Sequence, residues 1–594
     1  MCGFLGKVSF YDFNEDELLN ANQSIVCRGP DCTKSISSAD GDLNYSFWFN
    51  RLSILDLSQD ADQPMVSKDS NYILMFNGEI YNHRSLRKDL EKRGVTFYTS
   101  HSDTEVILNG ISEFGITFIN KLRGQFSIFY LDKKLKKILL IRDRVGQKPL
   151  YYRIEKDSLI FGSNLLAITK LDSNLNINFE EVNHYLNYGV ISSPHTPFKK
   201  FKKILPAQIV EINYSNSELE SKEISFWKLE DHIDNKQFDE EEFFDIFSES
   251  IKIRTLADVP VGNFLSGGLD SSSIVKNLSD AGSKINSFSV NIDNPKYDES
   301  RWSQLVADKY NTNHRSVDIT SNITQNDINQ SLDSLDEPYS DPSVVPSYIL
   351  SKEISNHFKV AISGDGGDEL LGGYFRTHAT LRNKSSLSNG VSKLYNFYPP
   401  SFGTGNFFLS KSKDHNIVYK SFLEDNNLLN LIGIDRNSIN NYIRINNDID
   451  LYKALLIADY KFYLPEMMMF KVDRTSMANS LEVRSPFVDH LLIEYILSHS
   501  TEYLETSSPK KLLKKYMLKD MGSDFVNRSK KGFIFDIENW VYKNINFIEQ
   551  YLLEGKIINA YNKNPLKVLK INKSRINSNR IWKLFVLEYY FSKF

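Results

Sequence analysis

The sequence Ser266-Gly-Gly-Leu-Asp-Ser-Ser272 marks the turn around which the second half of the chain is organised. It follows an apolar run with strand character, 259–265, and leads into a helix predicted over 271–278. Two adjacent glycines allow a tight turn close to a ligand, and a helix start presents unpaired N–H groups to an anion. This pattern predicts a pyrophosphate-binding loop, with an ordinary glycine-serine turn as the alternative. Because the Walker A lysine is missing, a P-loop NTPase is excluded.

Strands and helices alternate along the rest of this half. Strands are predicted at 285–292, 314–319 and 359–363, and helices at 298–310 and 347–357. The alternation is typical of an open parallel α/β sheet, which binds ligands beyond the carboxyl ends of its strands. A second glycine-rich loop, Ser363-Gly-Asp-Gly-Gly-Asp-Glu369, stands at such an end. Its three carboxylates, taken with the first loop, predict a site for a nucleotide and a divalent cation; a solvated acidic loop is the alternative.

The composition is that of a soluble globular protein with at least two domains. Of 594 residues, 41% are hydrophobic and 25% charged, and the formal net charge is -4, so no strongly basic nucleic-acid-binding surface is expected. Three cysteines and the lack of a signal-peptide pattern predict a cytoplasmic protein without a disulfide framework. No run of about 18 apolar residues occurs, so no membrane span is expected.

The first residues, Met1-Cys2-Gly3, predict a nucleophile at the N-terminus. The small side chain of Cys2 permits removal of Met1, which leaves a thiol and a free α-amino group on one residue. The amine has a reference pKa of about 8 and can accept the thiol proton near neutral pH. A buried structural cysteine is the alternative. The short strands that follow predict a layered sheet domain of roughly 200 residues.

This first region resembles the glutaminase domain of N-terminal-nucleophile amidotransferases. The matching motifs are, in chain order, Cys2-Gly3, Arg28-Gly-Pro-Asp31, Arg51-Leu-Ser-Ile54, Asn77-Gly-Glu-Ile-Tyr-Asn82 and Ser102-Asp-Thr-Glu105. The resemblance implies an αββα sandwich in which Cys2 attacks the amide of glutamine. Without it, Asn77-Gly78 would indicate a hairpin turn, and Asp103 or Ser102 a helix cap.

The same resemblance implies roles for the residues around Cys2. Asn77 and the backbone N–H of Gly78 stabilise the oxyanion, a task that requires preorganised donors. Arg51 and Asp103 hold the two charged ends of the glutamine backbone. The remaining members of the implied glutamine-binding set are Leu52, Ser53, Ile54 and Glu79. Cys27 stands where the family usually carries His, and it is not expected to be catalytic.

The second half resembles the synthetase domain of glutamine-dependent asparagine synthetase, an ATP pyrophosphatase-type domain. The resemblance rests on both glycine-rich loops and on the stretches 336–343, 472–489 and 528–533. It implies that ATP contacts Leu265, Ser266, Gly267, Gly268, Leu269, Asp270, Ser271, Ser272, Val290, Ser363 and Gly364. It also implies that Asp270 and Asp368 bind Mg²⁺. Lys530 would stabilise charge on the phosphates, with a solvated basic turn as the alternative.

Asp365 belongs to the implied catalytic residues, although bacterial asparagine synthetases often carry Glu at this point. Aspartate keeps the charge and shortens the reach. Related chains with Ser-Gly-Asp-Gly-Gly-Asp-Glu include some linked to amidation of other carboxylates. A further helix is predicted over 509–518, with Ser508 as its cap and its lysines on a solvated face.

Together these patterns predict a two-domain α/β protein. The predicted parts are a glutaminase domain at 2–215, a linker at 216–237 and a synthetase domain at 238–594, with a variable helical insertion at about 378–450. The implied enzyme takes ammonia from glutamine, adenylates aspartate with ATP and Mg²⁺, and releases asparagine, glutamate, AMP and pyrophosphate. Ammonia must stay unprotonated, which predicts an enclosed path between the domains. The resemblance also implies a homodimer.

Two alternatives stay open from the sequence. The same architecture could amidate another carboxylate, such as a sugar uronate or a peptide. In the other alternative, the chain is a non-catalytic nucleotide sensor or scaffold. Retention of Met1 would support this alternative, because it would indicate loss of glutaminase activity.

Overall fold

A computed structural model describes residues 2–292, 298–319, 323–383, 388–399, 403–436, 439–502, 504, 509–528, 535–561 and 563–594. The N-terminal strands are β1 Gly3–Ser9, β2 Cys32–Asp40, β3 Leu43–Arg51, β4 Met65–Val66, β5 Tyr72–Ile80, β6 Gly124–Asp132, β7 Lys137–Arg142, β8 Tyr151–Ile154, β9 Ser158–Gly162, β10 Lys202–Lys203, β11 Gln208–Ser215 and β12 Glu218–Ser225. The helices of this region are α1 Glu15–Gln23, α2 His83–Glu91, α3 Asp103–Phe114, α4 Leu165–Thr169 and α5 Phe179–Tyr188.

Two antiparallel sheets form the middle of the N-terminal region, in the orders β10-β8-β9-β1-β3-β2 and β12-β11-β7-β6-β5-β4. Aromatic side chains fill the space between them, as in the contact of Phe47 with Phe129 at 4.6 Å between ring centroids. Helices α2 and α3 cover one outer face through Leu86 and Val106, and α1 covers the other through Leu18. Burial of each such side chain contributes about 1.5–3 kcal/mol. The predicted αββα sandwich is confirmed.

The C-terminal region is built on a parallel sheet with the strands β13 Val261–Phe264, β14 Asn286–Ile292, β15 Asn313–Ile319, β16 Val360–Ile362 and β17 Glu482–Arg484. Its helices are α6 Glu240–Arg254, α7 Leu269–Asp280, α8 Ser300–Lys309, α9 Gln325–Asp333, α10 Val344–Ser355, α11 Gly367–Leu370, α12 Phe375–Leu381, α13 Ser388–Lys393, α14 Asn406–Leu409, α15 His415–Lys420, α16 Asn426–Ile432, α17 Leu451–Ala458, α18 Phe470–Met477, α19 His490–Ser498, α20 Lys511–Asn527, α21 Ile537–Lys543, α22 Ile545–Glu554, α23 Leu566–Ile571 and α24 Arg575–Phe591. A π-helical segment, Asp459–Met469, joins α17 to α18.

The strand order of this sheet, β15-β14-β13-β16-β17, places the site. Strands β13 and β16 are neighbours, with Asn263 opposite Ile362. The glycine-rich loops that follow them therefore leave the same edge of the sheet side by side. The predicted open parallel sheet is confirmed, and its carboxyl edge carries both loops, as such sheets require for ligand binding.

Part of the predicted linker 216–237 is a strand of the N-terminal sheet. Strand β12 pairs with β11 along its whole length, from Ser215 opposite Glu218 to Gln208 opposite Ser225. Asn216 and Ser217 both have positive φ, 50° and 59°, which is the geometry of a two-residue hairpin turn between twisted strands. The sequence did not predict this strand because it lacks an alternating apolar pattern. Most of its side chains are polar and exposed, which is common for a strand at the edge of a sheet.

The two regions are joined by buried ion pairs. Arg28 Nη1 lies 3.0 Å from Asp473 Oδ2, and Arg484 Nη2 lies 3.0 Å from Glu79 Oε2. Burial alone would raise the pKa of Asp473, but the charges of Arg28 and Lys148 lower it to about 2, so the carboxylate stays ionised at neutral pH. Charges buried this deeply are tolerated only when paired, which favours one fixed arrangement of the two regions. Within the described ranges, no helix is long and apolar enough to span a bilayer.

Candidate functional site

The two glycine-rich loops touch each other at the edge of the parallel sheet. A Cβ atom on Gly364 would lie 2.9 Å from the backbone nitrogen of Ser271, and one on Gly367 would lie 2.7 Å from Asp270 Oδ1. Gly366 has φ of 89°, in the left-handed region that favours glycine. The loops can approach this closely because side chains are missing from both contact points. The start of α7 and the carboxylates of the second loop are thereby brought into one site.

A cavity of about 620 Å³ opens over this contact. Of the residues predicted to bind ATP, those that line it are Leu265, Ser266, Gly268, Leu269, Asp270, Ser271, Val290, Ser363 and Gly364. Asp365 and Asp368 line it as well. Gly267 and Ser272 lie behind the lining: the carbonyl of Gly267 accepts a hydrogen bond from Arg528 at 2.5 Å, and Ser272 is buried. The cavity is large enough for a nucleotide and a small acceptor together.

Asp270 and Asp368 both pair with Lys510. Lys510 Nζ lies 2.5 Å from Asp270 Oδ2 and 2.6 Å from Asp368 Oδ1, and Lys510 is only 8% exposed. A Cβ atom on Gly373 would lie 2.0 Å from Asp368 Oδ1 and 2.4 Å from Lys510 Cε, so glycine keeps this space open. Two carboxylates that share one cation in this way fit a divalent metal bound together with phosphate oxygens.

Lys510 corrects a prediction made from the sequence. The lysines of the helix predicted at 509–518 were expected on a solvated face, and helix α20 in fact begins at Lys511, after Lys510 has turned its side chain into the cavity. The backbone of Lys510 has φ of 53°, an arrangement that no periodicity in the sequence could reveal. Ser508 and Lys530, predicted as a helix cap and as a catalytic residue, lie outside the described residues.

The predicted nucleophile lies at the end of the N-terminal sandwich. The backbone nitrogen of Cys2 donates to Asn77 Oδ1 at 3.0 Å, and Asn77 is fully buried in strand β5. Burial raises the pKa of the Cys2 thiol. A base close to the sulfur is therefore needed to form the thiolate, which is the role that the α-amino group would have in the mature N-terminus. Cys27, the departure from the family pattern, is exposed.

Asn77 and Gly78 do not form the hairpin turn that Asn-Gly alone indicates. They lie inside β5, where Asn77 pairs with Ser127 and Gly78 with Phe126 of β6. A Cβ atom on Gly78 would lie 2.0 Å from the carbonyl oxygen of Gln125, so only glycine fits. The turn interpretation is wrong because close backbone contact, and not a reversal of the chain, requires this glycine.

The residues implied in glutamine binding surround Cys2 on several elements. Arg51 ends β3, one residue after Asn50, which pairs with Gly3, and its positive charge acts to lower the pKa of Cys2. Its guanidinium donates to Asp62 Oδ1 at 2.6 Å and to the carbonyl of Ser58 at 2.8 Å. Asp103 is the first residue of α3, which Ser102 caps, and it accepts from the backbone nitrogen of Ile80 at 3.0 Å. These contacts fix one positive and one negative group near the nucleophile, as a zwitterionic amino acid requires.

The remaining members of the implied set lie close to the synthetase region. Burial raises the pKa of Glu79 well above its usual value, and the charge of Arg484 opposes that effect. The backbone nitrogen of Ser53 donates to Asp31 Oδ2 at 2.7 Å. Leu52 and Ile54 pack against Val360 and Met477 of the parallel-sheet region. The residues implied in glutamine binding thus lie partly at the domain interface.

Comparison with known proteins agrees with this arrangement. The family model described as Asparagine synthase matches residues 242–564, and the model described as Glutamine amidotransferase domain matches residues 1–227. The chain belongs to the asparagine synthase family. With both halves of that architecture present, it is an ATP-dependent carbon-nitrogen ligase that uses glutamine as its nitrogen donor.

Individual members of the family are similar over most of the chain. Glutamine-hydrolyzing asparagine synthetase 1 of Bacillus subtilis is 29% identical over 588 residues, which cover 94% of this chain and 91% of that protein. Putative glutamine-hydrolyzing asparagine synthetase 2 of Methanocaldococcus jannaschii is 33% identical over 401 residues, or 64% of this chain and 76% of that protein. Amidase chyE of Penicillium rubens is 26% identical over 589 residues, covering 88% of this chain and 85% of that protein.

Proposed function

We propose that this chain converts aspartate into asparagine, with glutamine as the source of ammonia and ATP as the activating reagent. The observation that carries the proposal is that one chain holds a buried Cys2 beside Asn77 and, across the domain interface, a large cavity with Asp270 and Asp368 at its base. The relatives whose printed names include asparagine synthetase support aspartate as the acceptor.

The first half-reaction takes place at Cys2. The thiolate attacks the amide carbon of glutamine, and Asn77 with the Gly78 N–H stabilises the oxyanion that forms. Ammonia leaves, and water then hydrolyses the thioester to glutamate. Arg51 and Asp103 orient the substrate through its α-carboxylate and α-ammonium groups, which converts binding into correct placement of the amide.

The second half-reaction takes place in the large cavity. A carboxylate oxygen of the acceptor attacks the α-phosphorus of ATP, and pyrophosphate leaves between the first loop and the start of α7, where backbone N–H groups favour an anion. Asp270 and Asp368 would hold Mg²⁺, whose charge offsets that of the phosphates. Lys530 is assigned the stabilisation of charge on the phosphates. Ammonia then attacks the acyl-adenylate and AMP leaves.

Aspartate carries charges that the cavity can match. Lys471 lines the cavity and donates from Nζ to Ser343 Oγ at 3.1 Å, while Asp341 and Asp365 line the same space. These three are among several charged residues that line the cavity. Their opposite charges suit the α-carboxylate and α-ammonium groups of an amino-acid acceptor, whereas the ring of a uronate offers no ammonium group to match. Asp365 is assigned to the acceptor end of the site.

A small cavity of about 10 Å³ at the interface supports the predicted route for ammonia. Its lining comes from both regions: Gln125, Gln147, Lys148, Met469, Val472, Asp473, Ser476, Val483 and Ser485. Gln125 lies next to Gly78 of strand β5, which is assigned to the oxyanion site. Val472 and Val483 also line the large cavity. A space of this size admits one molecule as small as water or ammonia. We infer that ammonia passes here without entering bulk solvent.

The setting of the reaction follows from its substrates. We place the enzyme in the cytoplasm, where ATP and glutamine are supplied and where free cysteines such as Cys2 stay reduced. A homodimer is proposed from the resemblance alone.

A panel of carboxylates tests the proposed acceptor. The purified full chain is incubated with ATP, Mg²⁺ and glutamine, and separately with ammonium in place of glutamine. The acceptors are aspartate, glutamate, a uronic acid and a peptide. We expect aspartate to give AMP, pyrophosphate and asparagine in equal amounts, at least about tenfold faster than the others, a difference of about 1.4 kcal/mol. Release of AMP with a different acceptor would contradict the aspartate assignment, and release of AMP with none would contradict the ligase itself.

A further inference from the structure

One buried residue, Arg484, contacts both proposed active sites. It is the last residue of β17 and is completely buried. Its side chain reaches Glu79 in the glutamine pocket at 3.0 Å. Its backbone carbonyl accepts from the nitrogen of Ser363, a residue of the nucleotide loop, at 2.9 Å. Arg484 thus contacts one residue of each proposed site.

The guanidinium of Arg484 is held rigidly. Nε donates to Glu482 Oε1 at 2.6 Å, and Nη1 donates to the carbonyls of Arg254 at 3.0 Å and Leu256 at 2.7 Å. These three acceptors belong to the synthetase region, whereas Glu79 belongs to the glutaminase. A planar guanidinium with several fixed partners cannot rotate freely. A shift of the β17 backbone is therefore expected to change the position of the guanidinium relative to Glu79.

The other end of the connection is equally direct. Ser363 follows β16 and lines the large cavity, and its hydroxyl lies 2.9 Å from the hydroxyl of Ser485, the residue after Arg484. A ligand that contacts Ser363 and Gly364 therefore acts on the hydrogen bonds that hold the end of β17. Ser485 also lines the small interface cavity.

We propose that Arg484 is a positioning residue that couples the two sites, so that a nucleotide bound at Ser363 increases the affinity of the Glu79 pocket for glutamine. The inference rests on the proposed roles of Glu79 and Ser363. Its physical basis is that the Arg484 guanidinium donates to Glu79 at 3.0 Å, so that it fixes the Glu79 side chain and favours its ionised form. Coupling of this kind is reciprocal: glutamine must increase nucleotide affinity by the same factor.

Equilibrium binding tests the coupling without turnover. Cys2→Ala full-length protein, which lacks the nucleophile, is titrated with glutamine in the absence and presence of Mg²⁺ and α,β-methylene-ATP, and then in the reverse order. We expect the nucleotide to lower the Kd of glutamine by at least about fivefold, and glutamine to lower the Kd of the nucleotide equally. In the same background, Arg484→Lys keeps the charge but loses the fork, and the factor should fall below about twofold.

Arg123→Lys is the matched control for Arg484→Lys. Arg123 is also a buried arginine that pairs across the interface, with Asp489 Oδ2 at 3.0 Å, but its side chain contacts neither site. The coupling factor should stay at the parent value in this variant. If Arg484→Lys does not fold, Ser485→Ala serves instead. It removes the hydroxyl contact with Ser363 and leaves the backbone hydrogen bond and the guanidinium in place, and it should at least halve the factor.

Each remaining outcome is decisive. Tight binding of both ligands with no change in either Kd overturns the coupling and leaves the proposed function intact. Coupling that survives Arg484→Lys, or Ser485→Ala where that variant serves instead, or that disappears equally in Arg123→Lys, overturns the assignment to Arg484. Failure of the parent protein to bind glutamine or nucleotide at all would count against the proposed function.

Discussion

Replacement of Cys2 by alanine is expected to lower glutamine hydrolysis by about 10⁴-fold or more, because loss of the nucleophile removes the covalent intermediate itself. Glutamine-dependent synthesis should fall by the same factor. Synthesis supported by ammonium salts should continue at close to the wild-type rate, since Asp270, Asp368 and the large cavity are unaffected. Release of glutamate and of AMP, measured side by side in the two conditions, provides the readout.

Cys27→Ala is the control for this change. Cys27 is an exposed thiol, so its removal should change neither activity by more than about twofold. Two results would contradict the assignment of Cys2. One is glutamate release by Cys2→Ala at a rate near that of the wild type. The other is loss of ammonium-dependent synthesis in the same variant while the protein stays folded.

Replacement of Asp270 by asparagine is expected to act in the opposite way. AMP formation should fall by about 10²- to 10⁴-fold with either nitrogen source, because a lost metal ligand removes several kcal/mol of charge stabilisation from the transition state. Glutamine hydrolysis measured without nucleotide should persist, since Cys2 and Asn77 lie in the other domain. Pyrophosphate release and glutamate release distinguish the two effects.

Asp280→Asn provides a control on the same helix. Asp280 ends α7, is exposed, and pairs with Lys276 at 2.9 Å, a surface ion pair of the kind that contributes about 0–1 kcal/mol. Its loss should leave AMP formation unchanged within about twofold. If Asp270→Asn retained AMP formation within about tenfold of wild type, Asp270 could not be a ligand of an essential metal.

Sequence patterns predicted those parts of the molecule that depend on local chemistry. Strand β13, helix α7 and the loop between them follow from an apolar run, two glycines and a serine-rich helix start. The parallel sheet followed from alternating strands and helices. Each glycine-rich loop stands at the end of a predicted strand, and this position predicts nucleotide binding.

The features that the sequence did not predict depend on contacts between residues that are far apart in the chain. Strand β17 has three residues, too few to show any periodicity, and its importance comes from pairing with β16 and from Arg484. Lys510 looked like one of several solvated lysines, and only the fold brings it to Asp270, 240 residues away. Asn77-Gly78 carried a strong turn signal that was overridden by close backbone packing. In each case tertiary contact outweighed local preference.

The central claim is that one chain passes ammonia from Cys2 to an activated carboxylate through the domain interface. Glutamine labelled with ¹⁵N at the amide is supplied with ATP, Mg²⁺, aspartate and an equal concentration of unlabelled ammonium, and the asparagine formed is analysed by mass spectrometry. We predict that nearly all the asparagine carries ¹⁵N, because ammonia released at Cys2 does not mix with solvent. If the ¹⁵N fraction of the asparagine only matched the ¹⁵N fraction of the ammonium in solution, ammonia would have mixed with solvent, and the account would be contradicted. Formation of no asparagine would contradict it as well.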